Sequence, residues 1–392
     1  MRIGLTSARG EGILHTFPNP NEATMAFDSG TVSFRLFYLQ HAYDSGLVDA
    51  FAKHAAPPIS SLNRDPISGW VTGRHLFDRE ITEEKCLFGP YLHAQLMRAE
   101  KKVPPPLLRA HLRMEEDVEL RARDADFLPR AVKAEVKQRV TESLLPNMPP
   151  TLSSIPVVVD FRNGLLLAAA LSDKQIDTLS PIFKETAGTL PILLTPDTAA
   201  LRRKQVNAND LEPVSFSPDT TLEPPVESTL GMDFLTWLWF AWEKEGGVYH
   251  LPDGREFGIM LEGPLTFFRE GQGAHEAVLR KGTPLNSREA GTALLCGKKL
   301  KRAKVVIAHG DEVFSATMDA DFAVRSLKLP KGEQTEPAGK FEERMLFVET
   351  FWTAWLCLYD RFLDQRADPK QWPKTLDAMR KWIAHIGPPP AE

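Results

Sequence analysis

Between Phe234 and Trp242 large apolar side chains, Phe234, Leu235, Trp237, Leu238, Phe240 and Trp242 among them, crowd nine positions. At helical spacing they cover nearly the whole circumference, so this helix must be enclosed by the rest of the chain or by a partner. The chain has the means to enclose it: 392 residues, 43% of them hydrophobic, suffice for roughly two or three domains with cores of their own. The longest apolar runs, Leu165 to Leu171 and Phe234 to Trp242, fall short of the roughly 20 residues that cross a bilayer. The opening Met-Arg-Ile-Gly-Leu passes into polar residues without a sustained apolar stretch for secretion. A cytoplasmic protein with no membrane partner is therefore expected.

Patterning predicts an α+β chain of mixed sheets and helices in several domains. Residues 1–24 read as a loosely ordered leader. Val32, Phe34 and Leu36 alternate with Ser33 and Arg35 as a strand, and a helix follows over Ser45 to His54, stopped by Pro57-Pro58. A second strand covers Tyr91 to Met97. Two apolar, partly β-branched runs, Ile155 to Val159 and Leu165 to Leu171, are joined through Asp160 and Asn163-Gly164 as a hairpin. Ser172 or Asp173 caps the next helix and Gly188 closes it before a strand over Leu190 to Leu194. Residues 25–97 and 151–205 thus form a central α+β domain. Residues 98–150, dense in both charges and bounded by prolines, form a separate helical module. Pro-rich residues 206–229 are a linker, because their composition cannot bury enough apolar surface to order itself. A second α+β domain spans 230–330, with a capped helix from Asn286 to about Lys299 and a three-strand meander over Lys304 to Ala308, Val313 to Met318 and Phe322 to Leu327. A helical extension spans 331–392 with Phe347, Phe351, Trp355 and Leu358 as its stripe.

Catalytic signatures are missing: there is no phosphate loop, no dinucleotide fingerprint, no nucleophile elbow and no His-Glu-x-x-His. A non-enzymatic protein without cofactor or metal is expected. Cys86, Cys296 and Cys357 are odd in number and far apart, which suits small core residues rather than a disulfide framework or a zinc site. Basic clusters are more informative. Lys298, Lys299, Lys301, Arg302 and Lys304 place five cations in seven positions without an acid, Arg202, Arg203 and Lys204 form a second cluster, and Arg130, Lys133, Lys137 and Arg139 a third. In a chain of net charge −5 they suggest a segregated positive surface for a polyanion. Two other classes stay open. One is a metal-dependent nuclease using Asp160 or the Asp311, Glu312, Asp319 and Asp321 group. The other is an interaction scaffold whose contact is the Trp-rich helix.

The order of several passages resembles the RdgC-like recombination-associated family: Gly69-Trp70-Val71, Leu96-Met-Arg-Ala-Glu-Lys-Lys-Val-Pro104, Val140-Thr-Glu-Ser-Leu-Leu-Pro146, Val158-Val-Asp-Phe-Arg-Asn-Gly-Leu165, Gly188-Thr-Leu-Pro191, and a stretch from Val278-Leu-Arg-Lys281 through Leu329. The resemblance implies a ring-shaped homodimer that closes around duplex DNA, binds single strands too, restrains RecA-promoted strand exchange and resides with the nucleoid. Residues 98–149 would then be the tip where protomers meet. The phosphate contacts would be Arg130, Lys133, Lys137, Arg202, Arg203, Lys204, Lys298, Lys299, Lys301 and Arg302. One departure concerns the tip: where the family carries an aromatic after Leu144-Leu-Pro146, this chain has Asn147-Met-Pro-Pro150.

Overall fold

A computed structural model describes residues 27–386 except 64, 220, 223–224, 226–228, 252, 271–274 and 283. The leader expected over residues 1–24 lies outside the described residues. The chain begins with β1 (Val32–Tyr38), α1 (Leu47–Lys53), β2 (Ile67–Thr72), α2 (Glu83–Cys86), β3 (Leu87–Phe88) and β4 (Tyr91–Lys101). Two helices, α3 (Pro105–Ala122) and α4 (Arg130–Leu144), then interrupt a long hairpin: β5 (Pro150–Asp160) returns antiparallel to β4, with Lys101 opposite Pro150 and Tyr91 opposite Asp160. β6 (Leu165–Ala168), α5 (Asp173–Ala187), β7 (Ile192–Leu193) and α6 (Pro196–Lys204) complete the first half. The second half runs α7 (Leu230–Glu245), β8 (Val248–His250), β9 (Glu256–Phe268), β10 (Glu276–Leu279), α8 (Arg288–Leu295), β11 (Lys299–His309), β12 (Glu312–Asp319), β13 (Val324–Lys328), α9 (Pro337–Arg366) and α10 (Trp372–Ile386).

The strands join one antiparallel sheet in the order β10-β9-β11-β12-β13-β1-β6-β5-β4-β2, with β3, β7 and β8 paired alongside. Helices cover it, which makes the chain α+β. β1 is the joint, since Phe34 faces Val324 of β13 while Arg35 faces Ala168 of β6. Local chemistry explains the segments around it. Asp160 accepts from the backbone N–H groups of Arg162 and Asn163, and Gly164 at φ 60° turns the chain, as an Asn-Gly hairpin requires. Ser172 and Gln175 form a reciprocal capping box on α5, and Gly188 ends it in a left-handed conformation. The helix expected from Asn286 to Lys299 is shorter: Gly297 at φ 77° breaks it, and Lys299 already belongs to β11.

The Trp-rich α7 is enclosed by the chain itself. Phe234 packs on Trp355 and Tyr359 of α9 with ring centroids 5.1 and 5.0 Å apart, and Trp239 meets Trp382 of α10 at 5.3 Å. Beneath α7 lie Ala303, Val305 and Ile307 of β11 in the same core. The Pro-rich stretch contributes too. Phe216 and Ser217 are buried, and the Ser217 hydroxyl donates to the Leu295 carbonyl at 2.6 Å, so tertiary packing orders what composition alone cannot. A second core lies on the opposite face of the β1–β6–β5–β4 region under α1 and α5. There Trp70 packs on Phe51 with ring centroids 4.3 Å apart and donates from Nε1 to Thr186 Oγ1 at 2.7 Å. Trp70→Phe is expected to cost about 1–2 kcal/mol for the lost hydrogen bond and volume, read by chemical denaturation.

Where α9 meets β4, His93 is 2% exposed, stacks on Phe341 at 4.8 Å and sits with Nδ1 3.5 Å from Asp28. Burial pushes His93 down to about 4 and Asp28 up to about 6. The two act in opposite senses. As pH falls from about 6.5 toward 4 the unfolded chain protonates its histidine first, which removes stability, while folded Asp28 takes a proton before its unfolded counterpart, which restores some. Asp28→Asn removes only the compensation. Its stability is expected to fall more steeply between about pH 6.5 and 4 than that of the parent, measured by denaturation at a series of pH values.

Candidate nucleic-acid interface

α4 follows Pro129 as its N-cap residue and carries Val132, Val136 and Val140 four residues apart, of which Val136 and Val140 are buried. Arg130, Lys133 and Lys137 recur at spacings of three and four, which puts them on one exposed flank. Glu135 and Glu142, seven apart, lie exposed on another. Arg139, which the sequence grouped with the cations, instead reaches α3, where its guanidinium donates to Glu119 at 2.9 Å. Among the described residues Arg130, Lys133 and Lys137 have no ion-pair partner. Sequence reading missed α3's apolar flank: Leu107, Met114 and Val118, at spacings of seven and four, are exposed, and no residue of α3 is buried. The i, i+7, i+11 pattern was the available signal.

The other two clusters are largely neutralised within the chain. At the C-terminal turn of α6, Arg203 donates through Nε and Nη2 to Asp360 of α9 at 2.8 and 2.6 Å, and Lys204 lies 2.7 Å from Asp364. Arg202 lies over the Tyr38 ring at 4.3 Å. These cations complement the helix dipole and fasten α9. On β11, Arg302 is paired with Asp319, which also accepts from Arg325 at 2.8 Å, and Lys301 lies 4.5 Å over Phe268 and 3.5 Å from Glu276. Hydrogen bonding to Asp360 raises Arg203 above its ordinary range, and Asp319 does so for Arg302. Lys298, after Gly297, is half-buried.

Lys299 requires a correction. It is 4% exposed, bonded to Asp233 and, at 2.7 Å, to the Thr229 hydroxyl. Its ammonium is buried against Asp233 of α7, beyond the reach of any phosphate. Nor do the clusters share one face. α6 lies in the helical layer with α9, whereas the pleat that buries Ala303, Val305 and Ile307 directs Arg302 to the opposite, uncovered face of the sheet, across from Asp319.

Three of the five acids considered for a metal are engaged elsewhere. Asp160 receives the turn amides and, through Oδ2, Asn163 Nδ2 at 2.7 Å. Asp319 holds two arginines, and Asp321 pairs with Arg35. Among the described residues no group of three or more His, Cys, Asp or Glu could hold a metal ion, and no helix is long and apolar enough to cross a membrane.

Among curated proteins nothing matches the chain. Residues 34–204, which include β4, the α3–α4 hairpin, β5 and α6, match the family described as "Putative exonuclease, RdgC". Over that span, less than half of the chain, the sequence with its interrupted hairpin and its basic flank is similar to the RdgC family.

Proposed function

We propose that the chain binds DNA without sequence preference and without cutting it, gripping phosphates through Arg130, Lys133 and Lys137 of α4. The observation that carries this reading is the charge separation on that helix: three exposed cations on one flank have no internal partner among the described residues, whereas most of the other clustered cations are matched by carboxylates. Arg202 and Lys298, also without an ion pair among the described residues, serve as secondary contacts. Arg203, Lys204, Lys301 and Arg302 contribute only by exchanging their carboxylates for phosphates, at the cost of the internal pairs. The RdgC family is recombination-related and DNA-associated, which supports extending the reading to duplex and single strands, to a ring closed by two copies and to restraint of RecA-promoted exchange in the nucleoid. The exposed Leu107, Met114 and Val118 stripe supports a contact between the hairpins of two copies.

Fluorescence anisotropy with two duplexes of unrelated sequence, over a range of salt, tests the proposal. Equal affinities that fall steeply with salt support it; affinity indifferent to salt overturns it. The family description also names an exonuclease, and the same preparation incubated with end-labelled DNA and Mg²⁺ or Mn²⁺ decides that reading. Shortened strands would replace a binding protein with an enzyme.

A further inference from the structure

The two ends of the sheet differ in how their outward backbone is used. At the β2 end, Trp70 donates to the His54 carbonyl at 3.0 Å and accepts from the Ala56 amide at 2.8 Å, and Thr72 donates to the Asp78 carbonyl at 2.9 Å. At the other end β10 pairs with β9 alone among the described strands, Glu276 opposite Phe268 and Leu279 opposite Leu265. The Arg269 amide donates to the His275 carbonyl at 3.1 Å. Antiparallel pairing alternates, so Ala277 and Leu279 bond to β9 while the N–H and C=O groups of Glu276 and Val278 point away from it, with Arg280 next in the same alternation. Among the described residues nothing receives the outward groups of Glu276 and Val278.

Side chains follow the same alternation. Ala277 and Leu279 pack against the core that α8 enters with Ala290 and Leu294, whereas Glu276, Val278 and Arg280 are exposed, Val278 to 41%. An open edge is a template for another strand, and proteins commonly blunt one with charges. Here the two charges are opposite in sign and stand symmetrically about Val278. A second copy of this strand, laid antiparallel across Val278, brings its Arg280 opposite Glu276 and its Glu276 opposite Arg280, with valine against valine at the centre. Opposite charges and β-branched residues that face each other across strands are favourable pairs. Glu276 also lies 3.5 Å from Lys301 of β11, which leaves its carboxylate room to accept from a second cation. Arg280 has no ion-pair partner among the described residues.

We propose that two copies of the chain join edge to edge through β10, antiparallel about Val278, so that their sheets become one. Glu276, Val278 and Arg280 supply both the backbone bonds and the matched side chains. So short an edge buries little area, and the dimer is therefore weak and reversible, dissociating in roughly the micromolar range. The pairing needs no DNA and does not rest on the DNA reading. It is also separate from the exposed stripe of α3, which belongs to the hairpin.

Sedimentation equilibrium of the full chain at high micromolar concentration, without DNA, tests the pairing, and a reversible dimer is expected. Because the Val278 N–H points outward, Val278→Pro removes an edge donor without touching the β9 ladder, a position where strands tolerate proline. It should weaken the dimer about ten-fold or more, the equivalent of two neutral hydrogen bonds, one from each copy. Glu276→Arg should weaken it independently by setting arginine against arginine, so that either variant serves if the other does not melt cooperatively. Glu276→Arg combined with Arg280→Glu should restore the parent's dimer, since the exchange is symmetric about Val278. That rescue separates edge pairing from the Lys301 contact, which the second substitution cannot repair. A chain that stays monomeric overturns the second copy as occupant, whatever other strand takes the edge. So does a dimer that Val278→Pro and Glu276→Arg leave unchanged but Met114→Glu dissolves, which assigns the contact to the hairpins. Weakening by Glu276→Arg without rescue by the double exchange overturns the antiparallel register. DNA affinity by anisotropy is a separate readout, so loss of this dimer and loss of the DNA reading are distinguishable.

Discussion

Lys299→Met is expected to destabilise the fold by about 3 kcal/mol, measured by chemical denaturation, while leaving the DNA affinity of the folded protein unchanged. The reason lies in where β11 begins. Lys299 and Asp233 are 4% and 2% exposed, and their ion pair joins the strand to α7, with Thr229 as a second acceptor for the ammonium. Burial pulls Lys299 below the ordinary lysine range despite its partner. Removing one member of a buried pair strands the other, a loss of about 3–5 kcal/mol. The smaller end applies because Arg366 Nε stands 4.0 Å from Asp233 and still screens its charge. Asp233→Leu should be worse than Lys299→Met: it strands two buried cations, Lys299 and Arg366, instead of one anion. A fall in DNA affinity for Lys299→Met, with stability unchanged, would return this lysine to the surface contacts and contradict its burial.

Lys299 also shows where sequence reading reached its limit. A run of five cations in seven positions looks like one patch, but a strand sends neighbours to opposite faces, and a bulge between Leu300 and Arg302 shifts the alternation again. Composition could not say which lysine turns inward, because the carboxylate that receives it lies 66 residues away on α7. The same holds for Arg203 and Asp360, which are 157 residues apart. Local signals were legible wherever the cause was local. Asn163-Gly164 made a hairpin, Ser172 and Gly188 bounded α5, and the apolar circumference of α7 required enclosure, which α9 and α10 supply. The α4 flank was legible for the same reason, since helical spacing alone places Arg130, Lys133 and Lys137 together.

Reversing that flank, with Arg130→Glu, Lys133→Glu and Lys137→Glu combined, is expected to reduce the slope of log affinity against log salt by about 2.7, at about 0.9 for each phosphate contact removed. Affinity at low salt should fall by roughly two orders of magnitude or more, equally for unrelated duplexes, because phosphate contacts carry no base information. Stability should change little. All three side chains are exposed and without an ion partner among the described residues, and surface substitutions of that kind stay within about 0.5 kcal/mol. The matched control is Arg203→Glu with Lys204→Glu, which breaks two ion pairs to α9 and places new anions beside Asp360 and Asp364. That pair should lower the melting temperature and alter the salt slope by less than the α4 triple. If the control abolishes duplex binding in protein that still melts cooperatively, and the α4 triple binds like the parent, the phosphate grip belongs to α6, and the hairpin serves only to join two copies.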